Sequence, residues 1–127
     1  MRTGIAVSLA LLVTTGVMLA QQPAIKRTVL QQVDISVPGR EVVTARADLP
    51  MGGTTGRHTH FGEEVTYVME GALLLEIDGA PARTVKAGEV FVVPAGRIHV
   101  ATAPGGSAVA IVNYIVEKGK PLTTPAK

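Results

Sequence analysis

The chain has 127 residues, enough for one domain and too few for two. Basic and acidic residues nearly balance, 12 against 10, and aromatic residues make up only 3% of the chain, which argues against a nucleic-acid-binding surface. There is no cysteine, which excludes disulfides, thiolate metal ligands and cysteine nucleophiles. Hydrophobic residues make up 46% of the sequence, so a core can be buried.

Residues 1–20 have the pattern of a secretory signal peptide. A charged start at Arg2 precedes an apolar run over residues 5–19, and Ala20 can serve as the small residue before the cleavage site. The apolar run is shorter than the roughly 20 residues that a bilayer span needs, which disfavours an uncleaved membrane anchor. We therefore expect a periplasmic or secreted protein that starts near Gln21 and has no stable membrane span after cleavage.

The first two strands are predicted on either side of Pro38-Gly39. Residues 25–37 are rich in apolar side chains, and from Val33 onwards these alternate with polar ones, as in a half-buried strand. Residues 41–49 alternate in the same way, and Pro50 ends the pattern. A glycine- and threonine-rich loop then leads to the first histidine.

The remaining chain predicts more short strands, separated by glycine and proline turns. They cover residues 65–70, 72–77, 83–86, 90–93, 98–102 and 108–116. Asp78-Gly79 is a strong hairpin signal, and residues 117–127 have the composition of a solvated tail. No segment after residue 20 has a helical period. The fold class is therefore all-β, a sandwich or barrel with its core over about residues 40–116.

Three histidines and one glutamate are candidate metal ligands. His58 and His60 are two residues apart, so in a strand their imidazoles lie on the same face. Glu64 follows after a short bend and can return to the same pocket. His99 is 35 residues after Glu64 and can join them only if its strand pairs beside theirs. Three imidazoles and one carboxylate complete a first coordination shell for a divalent transition metal.

Other kinds of active site are not indicated. A His-x-His pair or a single glutamate is often only a surface feature, so the prediction depends on all four residues acting together. A Ser/His/Asp nucleophile set is disfavoured because the metal prediction uses every histidine in the chain. The glycine-rich stretch over residues 52–56 precedes a strand and lacks the Lys-Ser/Thr ending of a phosphate-binding loop.

The spacing of these residues and the surrounding glycines resembles the cupin superfamily. Gly52-x5-His58-x-His60-x3-Glu64-x6-Gly71 matches the first cupin motif at every fixed position. Gly88-x5-Pro94-x-Gly96-x2-His99 matches the second motif, except that Ala103 replaces an asparagine that is not a metal ligand. The two motifs span residues 52–103, and the flanking strands extend the resemblance over most of residues 21–127.

The resemblance implies a single-domain jelly-roll barrel with a metal held inside it by His58, His60, Glu64 and His99. It also implies that Glu63 is not the ligand. The ligand set suits iron(II), manganese(II), nickel, copper(II) or zinc, with the identity open. By analogy with cupins of this size, the resemblance also implies a homodimer in which N-terminal strands add to the partner's sheet. In this chain residues 25–37 would be those strands.

Three further residues are weak candidates for catalysis. Arg97 lies two residues before His99 and could clamp a substrate carboxylate, although a solvent-facing position in its turn is the stronger expectation. Tyr67 is a candidate proton donor or partner of a ligand, but more simply an aromatic that fills the barrel or contacts a second subunit. Glu64 itself could double as a base. Arg57 has the opposite strand parity to His58 and is expected to face outwards.

Two classes of function remain open. In the first, the protein is a dioxygenase-like metalloenzyme that oxidises a small organic molecule. In the second, it is a non-catalytic module that binds a metal or a small ligand outside the cytoplasm. The cupin fold hosts both, along with isomerases and decarboxylases, so the fold alone does not decide between them.

Overall fold

The computed structural model describes residues 21–127 and shows two antiparallel five-stranded sheets packed face to face. The all-β prediction is confirmed. Within residues 21–127 there is no helix, and hence none able to cross a membrane. The predicted signal peptide lies outside the described residues.

Ten strands follow one another along residues 21–127. They are β1 (Lys26–Asp34), β2 (Arg40–Leu49), β3 (His58–Thr59), β4 (Gly62–Glu70), β5 (Ala72–Ile77), β6 (Arg83–Lys86), β7 (Val90–Val93), β8 (His99–Thr102), β9 (Ala108–Glu117) and β10 (Thr124–Pro125). The first sheet has the order β1-β2-β9-β4-β7 and the second the order β10-β3-β8-β5-β6. The predicted hairpin at Asp78-Gly79 joins β5 to β6.

The core lies between the two sheets, because alternate residues of each strand face inwards. In β2 the inward row is Val43, Ala45, Ala47 and Leu49, and each of these side chains is almost fully buried. Strands β4 and β9 continue the same rows across the sheet. In the row that matters most here, Val43 pairs with Tyr114, and Tyr114 pairs with Glu64. The strand register therefore places a carboxylate inside the barrel.

Gly62 allows β4 to start tightly against β9. A side chain at this position would collide with the backbone of Ile115 and Val116 on the paired strand. The collision would be with main-chain atoms, which cannot rotate away as a side chain can. Because Gly62 is only two residues before Glu64, this close approach also fixes where the carboxylate enters the core.

The prediction of a half-buried first strand is wrong. β1 pairs with β2 along its length but is almost entirely exposed, and Val29, Leu30 and Val33 are each about half exposed. The physical reason is the position of β1 at the edge of its sheet. Among the described residues it has a paired neighbour, β2, on one side only. Alternation in the sequence indicates a two-faced strand but does not say whether anything covers either face.

The prediction of a solvated tail over residues 117–127 is also wrong. Strand β9 continues to Glu117, and Thr124 and Pro125 then form β10, which pairs with Thr59 and His58. The side chain of Leu122 packs partly buried against the core. Strand β3 pairs with β8 on one side only, and the C-terminal segment supplies the hydrogen-bonding partner on the other side.

Candidate metal centre

The two sheets bring the four predicted ligands to one place. His58 on β3 is paired directly with His99 on β8, so the second sheet holds these two imidazoles side by side. His60 follows immediately after β3. Glu64 arrives from the first sheet, on the inner face of β4. The side chains meet in the space between the sheets, and this juxtaposition depends on the whole fold.

The cluster is compact and buried. One ligand atom from each of His58, His60, Glu64 and His99 lies within 4.8 Å of all the others. The four residues are between 2% and 7% exposed. Such burial is unusual for ionisable groups, which are rarely removed from water unless they are paired or bind a metal.

Backbone carbonyls fix the orientation of each imidazole ring. The Nδ1 atoms of His58, His60 and His99 lie 2.8, 2.6 and 3.0 Å from the carbonyl oxygens of Gly56, Leu122 and Arg97. A carbonyl oxygen only accepts hydrogen bonds, so each Nδ1 must carry the proton and donate. In a neutral ring the lone pair is then on Nε2. The three rings are therefore set to offer Nε2 as a metal ligand.

The contacts with Glu64 indicate that a positive charge belongs at the centre of the cluster. Glu64 Oε2 lies 3.0 Å from His60 Nε2 and 2.9 Å from His99 Nε2. A carboxylate oxygen also only accepts, so these contacts need either a proton on each Nε2 or a cation between the atoms. Glu64 Oε1 is already used, because it accepts a 2.7 Å hydrogen bond from Thr66 Oγ1.

The pKa values follow from burial and from the shared carboxylate. Burial lowers the pKa of His58 to about 4, and the neighbouring histidines add to this effect. Burial also disfavours the charged form of His99, but the hydrogen bonds to Glu64 and Arg97 outweigh it and raise the pKa. For Glu64 burial is likewise outweighed, and hydrogen bonds from His60, His99 and Thr66 hold the pKa well below its usual range. Glu64 is therefore an anion, as a ligand must be.

The donor set fits a divalent transition metal. It combines three Nε2 lone pairs of fixed direction with one anionic oxygen, and thiolate ligands are excluded because the chain has no cysteine. The four residues could thus hold such an ion. Iron(II), manganese(II), nickel, copper(II) and zinc all accept this mixture of nitrogen and oxygen ligands.

A small cavity adjoins the cluster inside the barrel. Its volume is about 30 Å³, enough for a few non-hydrogen atoms. His58, Glu64 and His99 form part of its wall. Most of the remaining wall is apolar, and the polar residues that complete it are Arg27, Thr55, Thr66 and Tyr114. The space beside the candidate metal is therefore narrow and mainly hydrophobic.

The other sequence candidates lie outside this cavity. Glu63 is exposed on the outer face of β4, in agreement with its exclusion as a ligand. Tyr67 also faces outwards and is 44% exposed, so it does not fill the barrel. The Arg97 side chain is exposed and donates to the carbonyl of Asp78, although its own carbonyl orients His99. Arg57 faces out as predicted and pairs with Asp78.

Several contributors to the site were not predicted from the sequence, among them Arg27, Thr66, Tyr114 and the carbonyls of Gly56 and Leu122. Thr66 is two residues after Glu64, so strand parity alone was enough to find it. Tyr114 lies in an alternating strand whose inward parity is shared with Val112 and Val116. Its ring is 4.7 Å from that of His60, centroid to centroid. No sequence pattern indicates Arg27 or Leu122, since both depend on distant pairings.

Removal of residues 121–127 is expected to weaken metal binding by about 10- to 100-fold, the usual cost of losing an outer hydrogen bond to a ligand. The truncation deletes the Leu122 carbonyl that holds His60, and also β10, which pairs with β3. Competition with a chromogenic chelator measures the affinity. A matched control is deletion of Lys127 alone, which leaves both features in place. Equal affinity of the truncated and full-length proteins would contradict the role assigned to the tail.

Comparison with known proteins identifies a family for this chain. The family model of the cupin domain matches residues 45–120. A germin-like protein of Arabidopsis thaliana, subfamily 2 member 2, is 34% identical over 85 residues, which cover 61% of this chain and 39% of the relative. The chain thus spans about two fifths of the length of this curated relative.

Solved structures agree on the fold. A Klebsiella pneumoniae protein with a double-stranded β-helix domain aligns with a TM-score of 0.65 at 16% identity, over 85% of this chain and 89% of that chain. An oxalate oxidase in complex with glycolate aligns with a TM-score of 0.62 at 28% identity, over 80% and 54% of the two chains. Because the family match covers more than half of the sequence and includes His58, His60, Glu64 and His99, the chain belongs to the cupin family and has its jelly-roll barrel fold.

Proposed function

We propose that this protein is a metal-dependent, dioxygenase-like oxidoreductase that acts on a small organic molecule. The observation that supports this best is the convergence of three oriented Nε2 atoms and one carboxylate beside an internal cavity. His58, His60, Glu64 and His99 would hold the metal. When bound, such an ion supplies Lewis acidity and, if it is redox-active, electron transfer at that position.

The surrounding residues favour a small substrate. The cavity has room for only a few non-hydrogen atoms, and most of its wall beside the cluster is apolar. Four protein ligands leave open positions at a five- or six-coordinate ion, where a substrate can bind. The likeness to an oxalate oxidase that is bound to glycolate also points to small oxygenated compounds.

The runner-up is a non-catalytic module that binds a metal or small ligand. It is favoured by the shortage of free acid or base groups at the cavity. Glu64 is occupied by three hydrogen bonds and its pKa is held low, so it is a weak base. Burial raises the pKa of Tyr114 to about 12, and the Glu64 charge adds to this, so the phenol keeps its proton. An isomerase or decarboxylase would need such a group at the substrate.

Metal analysis followed by oxygen uptake separates the two functions. The purified protein is loaded with iron or manganese and offered a panel of hydroxy acids, diketones and phenols. Substrate-dependent oxygen consumption by the loaded protein, and none by the metal-free protein, is the expected result. Tight retention of a ligand with no turnover would instead identify a binding module, and conversion without oxygen consumption would identify an isomerase or decarboxylase.

We also propose export, with cleavage after Ala20. The support is the charged, apolar and small-residue order of residues 1–20. N-terminal sequencing of protein recovered from the periplasm or medium should start at or near Gln21. A start at Met1 would contradict the proposal.

A homodimer is the assembly that we propose. Strand β1 is an edge strand with a row of unpaired backbone groups, and it exposes Val29, Leu30 and Val33. Edges of this kind are usually covered or blunted, and a second copy of the same strand would cover this one. Light scattering should give twice the chain mass. A monomer at micromolar concentration would contradict the proposal.

A further inference from the structure

Arg27 is a half-buried cation in the wall of the cavity, and the metal cluster does not explain its presence. Among the described residues that line the cavity, it is the one lysine or arginine. Its side chain reaches Tyr114, with Cζ 5.8 Å from the ring centroid. Tyr114 in turn touches His60, and His58, Glu64 and His99 line the same cavity. A molecule in this space can therefore meet both the guanidinium and the histidine cluster.

The strand register explains why Arg27 points inwards. It is paired with Ala47, and Ala47 is paired with Ala110, so two small side chains lie in the row beside it. Both alanines are buried and also line the cavity. Larger residues in these places would fill the volume that the guanidinium occupies. The adjacent residue Thr28 is paired with Arg46, whose side chain lies on the opposite face of the sheet.

The guanidinium lacks an anionic partner in the part of the chain that the structure describes. None of the ion pairs within residues 21–127 includes Arg27. Its Nε is buried and has no hydrogen-bond acceptor among these residues. The nearby carboxylate, Glu64, is already held by His60, His99 and Thr66. The contact with the Tyr114 ring stabilises the cation only partly.

A half-buried guanidinium beside a cavity, with an Nε that has no acceptor among the described residues, is an arrangement that can bind a carboxylate. Its donors form a planar fork that matches the two oxygens of a carboxylate group. The apolar wall strengthens this pairing because the local dielectric constant is low. The small cavity limits the rest of the molecule to a few atoms.

We propose that Arg27 is the anion-binding group of the cavity and that the ligand of this site is a small carboxylate, held by Arg27 at one end and facing the histidine cluster at the other. This inference rests on the proposed function, because it names the substrate class of the same site. It assigns binding to Arg27 and no chemical step.

The test compares glycolate with its neutral analogue glycolamide, using calorimetric titration of the metal-loaded protein. The wild type should bind glycolate about 10- to 100-fold more tightly than glycolamide, the range expected for a charge-assisted pair. Arg27→Gln should lose this preference while keeping the same metal content. Arg27→Lys should keep part of it, since lysine supplies the charge without the fork.

Arg46→Gln is the matched control, because it removes a guanidinium from the opposite face of the neighbouring strand. It should bind glycolate like the wild type. Unchanged glycolate affinity in Arg27→Gln, or a wild type that binds the two probes equally, would overturn the proposal. If Arg27→Gln does not fold, Arg27→Lys is used instead. In that case a glycolate affinity equal to that of the wild type would overturn the proposal.

The outcomes separate this inference from the proposed function. A preference for glycolate that depends on Arg27, without any oxygen uptake, would support the anion site and reject the oxidoreductase. Oxygen uptake that does not change when Arg27 is replaced, together with equal binding of glycolate and glycolamide, would support the oxidoreductase and reject the anion site.

Discussion

Replacement of His60 by alanine is expected to abolish stoichiometric metal binding. The change removes an Nε2 that lies 3.0 Å from Glu64 Oε2, and with it the ring that Leu122 orients through Nδ1. Because a ligand is lost outright, affinity should fall by more than the roughly 100-fold that follows from losing an outer hydrogen bond. Mass-spectrometric metal analysis of the purified, desalted variant measures the occupancy.

The same variant should also lose its stabilisation by metal. At a free metal concentration about 1,000 times the dissociation constant, binding adds about 4 kcal/mol to the free energy of unfolding. We expect this gain in the wild type and almost none in His60→Ala, as measured by urea unfolding with and without metal. Thr59→Ala is the control, since it alters the residue next to His60 and leaves all four ligands in place. Full metal occupancy in His60→Ala would show that His60 is not a ligand.

Exchange of Glu64 for glutamine is the second large effect, because it removes the negative charge and nearly preserves the shape. Three neutral imidazoles and an amide leave the charge of a divalent ion uncompensated in a buried place. We expect metal affinity to fall by about 100-fold or more. Glu63→Gln is the matched control, because Glu63 is the adjacent acid and lies exposed on the outer face of β4. Equal losses in the two variants would contradict a specific role for Glu64.

The charge of Glu64 should also affect how the free energy of unfolding of the metal-free protein depends on pH. The folded-state pKa of Glu64 is lowered, so its contribution to stability is present above the unfolded value of about 4.3 and disappears as pH falls through the folded value. The pKa of His99 is raised, so its contribution is complete below about pH 6.5 and disappears as pH rises through the folded value. Together these two groups favour the window between about pH 4.3 and 6.5. The lowered pKa of His58 opposes them, because between its folded value of about 4 and about pH 6.5 this ring is neutral in the folded protein and would be charged in the unfolded chain.

In Glu64→Gln the contributions of Glu64 and His99 should largely vanish, because the raised pKa of His99 depends on the hydrogen bond from its ring to Glu64, whereas the effect of the buried His58 ring remains. Urea unfolding from pH 4 to 8 in the presence of a chelator measures it. The free energy of unfolding of the wild type should exceed that of the variant by most between about pH 4.3 and 6.5 and by less towards pH 8. Curves of the same shape would contradict the coupling between Glu64 and His99.

The fold class and the His58–His60 pair were predictable from sequence because both follow from local patterns. Alternation sets strand faces, and glycine and proline mark the turns. Histidines at i and i+2 of a strand must share a face, so their spacing alone puts His58 and His60 together. The position of His99 followed only with the family resemblance, since no local rule joins residues 35 apart.

The remainder depended on which strands lie beside one another. The sequence of β1 alternates like that of β2, yet β2 is buried and β1 is exposed, because only β2 lies in the interior of the sheet. The C-terminal residues were predicted to be a tail, because their two prolines and glycine are typical of a loop. They nevertheless form a short strand that pairs with β3. Arg27 belongs to the same class: its inward direction follows from its pairing with Ala47.

The central claim is that His58, His60, Glu64 and His99 hold a single metal ion, and anomalous diffraction from crystals of the metal-loaded protein tests it most directly. Data collected on either side of the absorption edge of the bound metal should give one strong peak per chain, within ligand distance (about 2.0–2.2 Å) of the three Nε2 atoms and the Glu64 carboxylate. An anomalous peak elsewhere on the chain, or no peak from protein soaked with manganese, iron, nickel, copper or zinc, would contradict the claim.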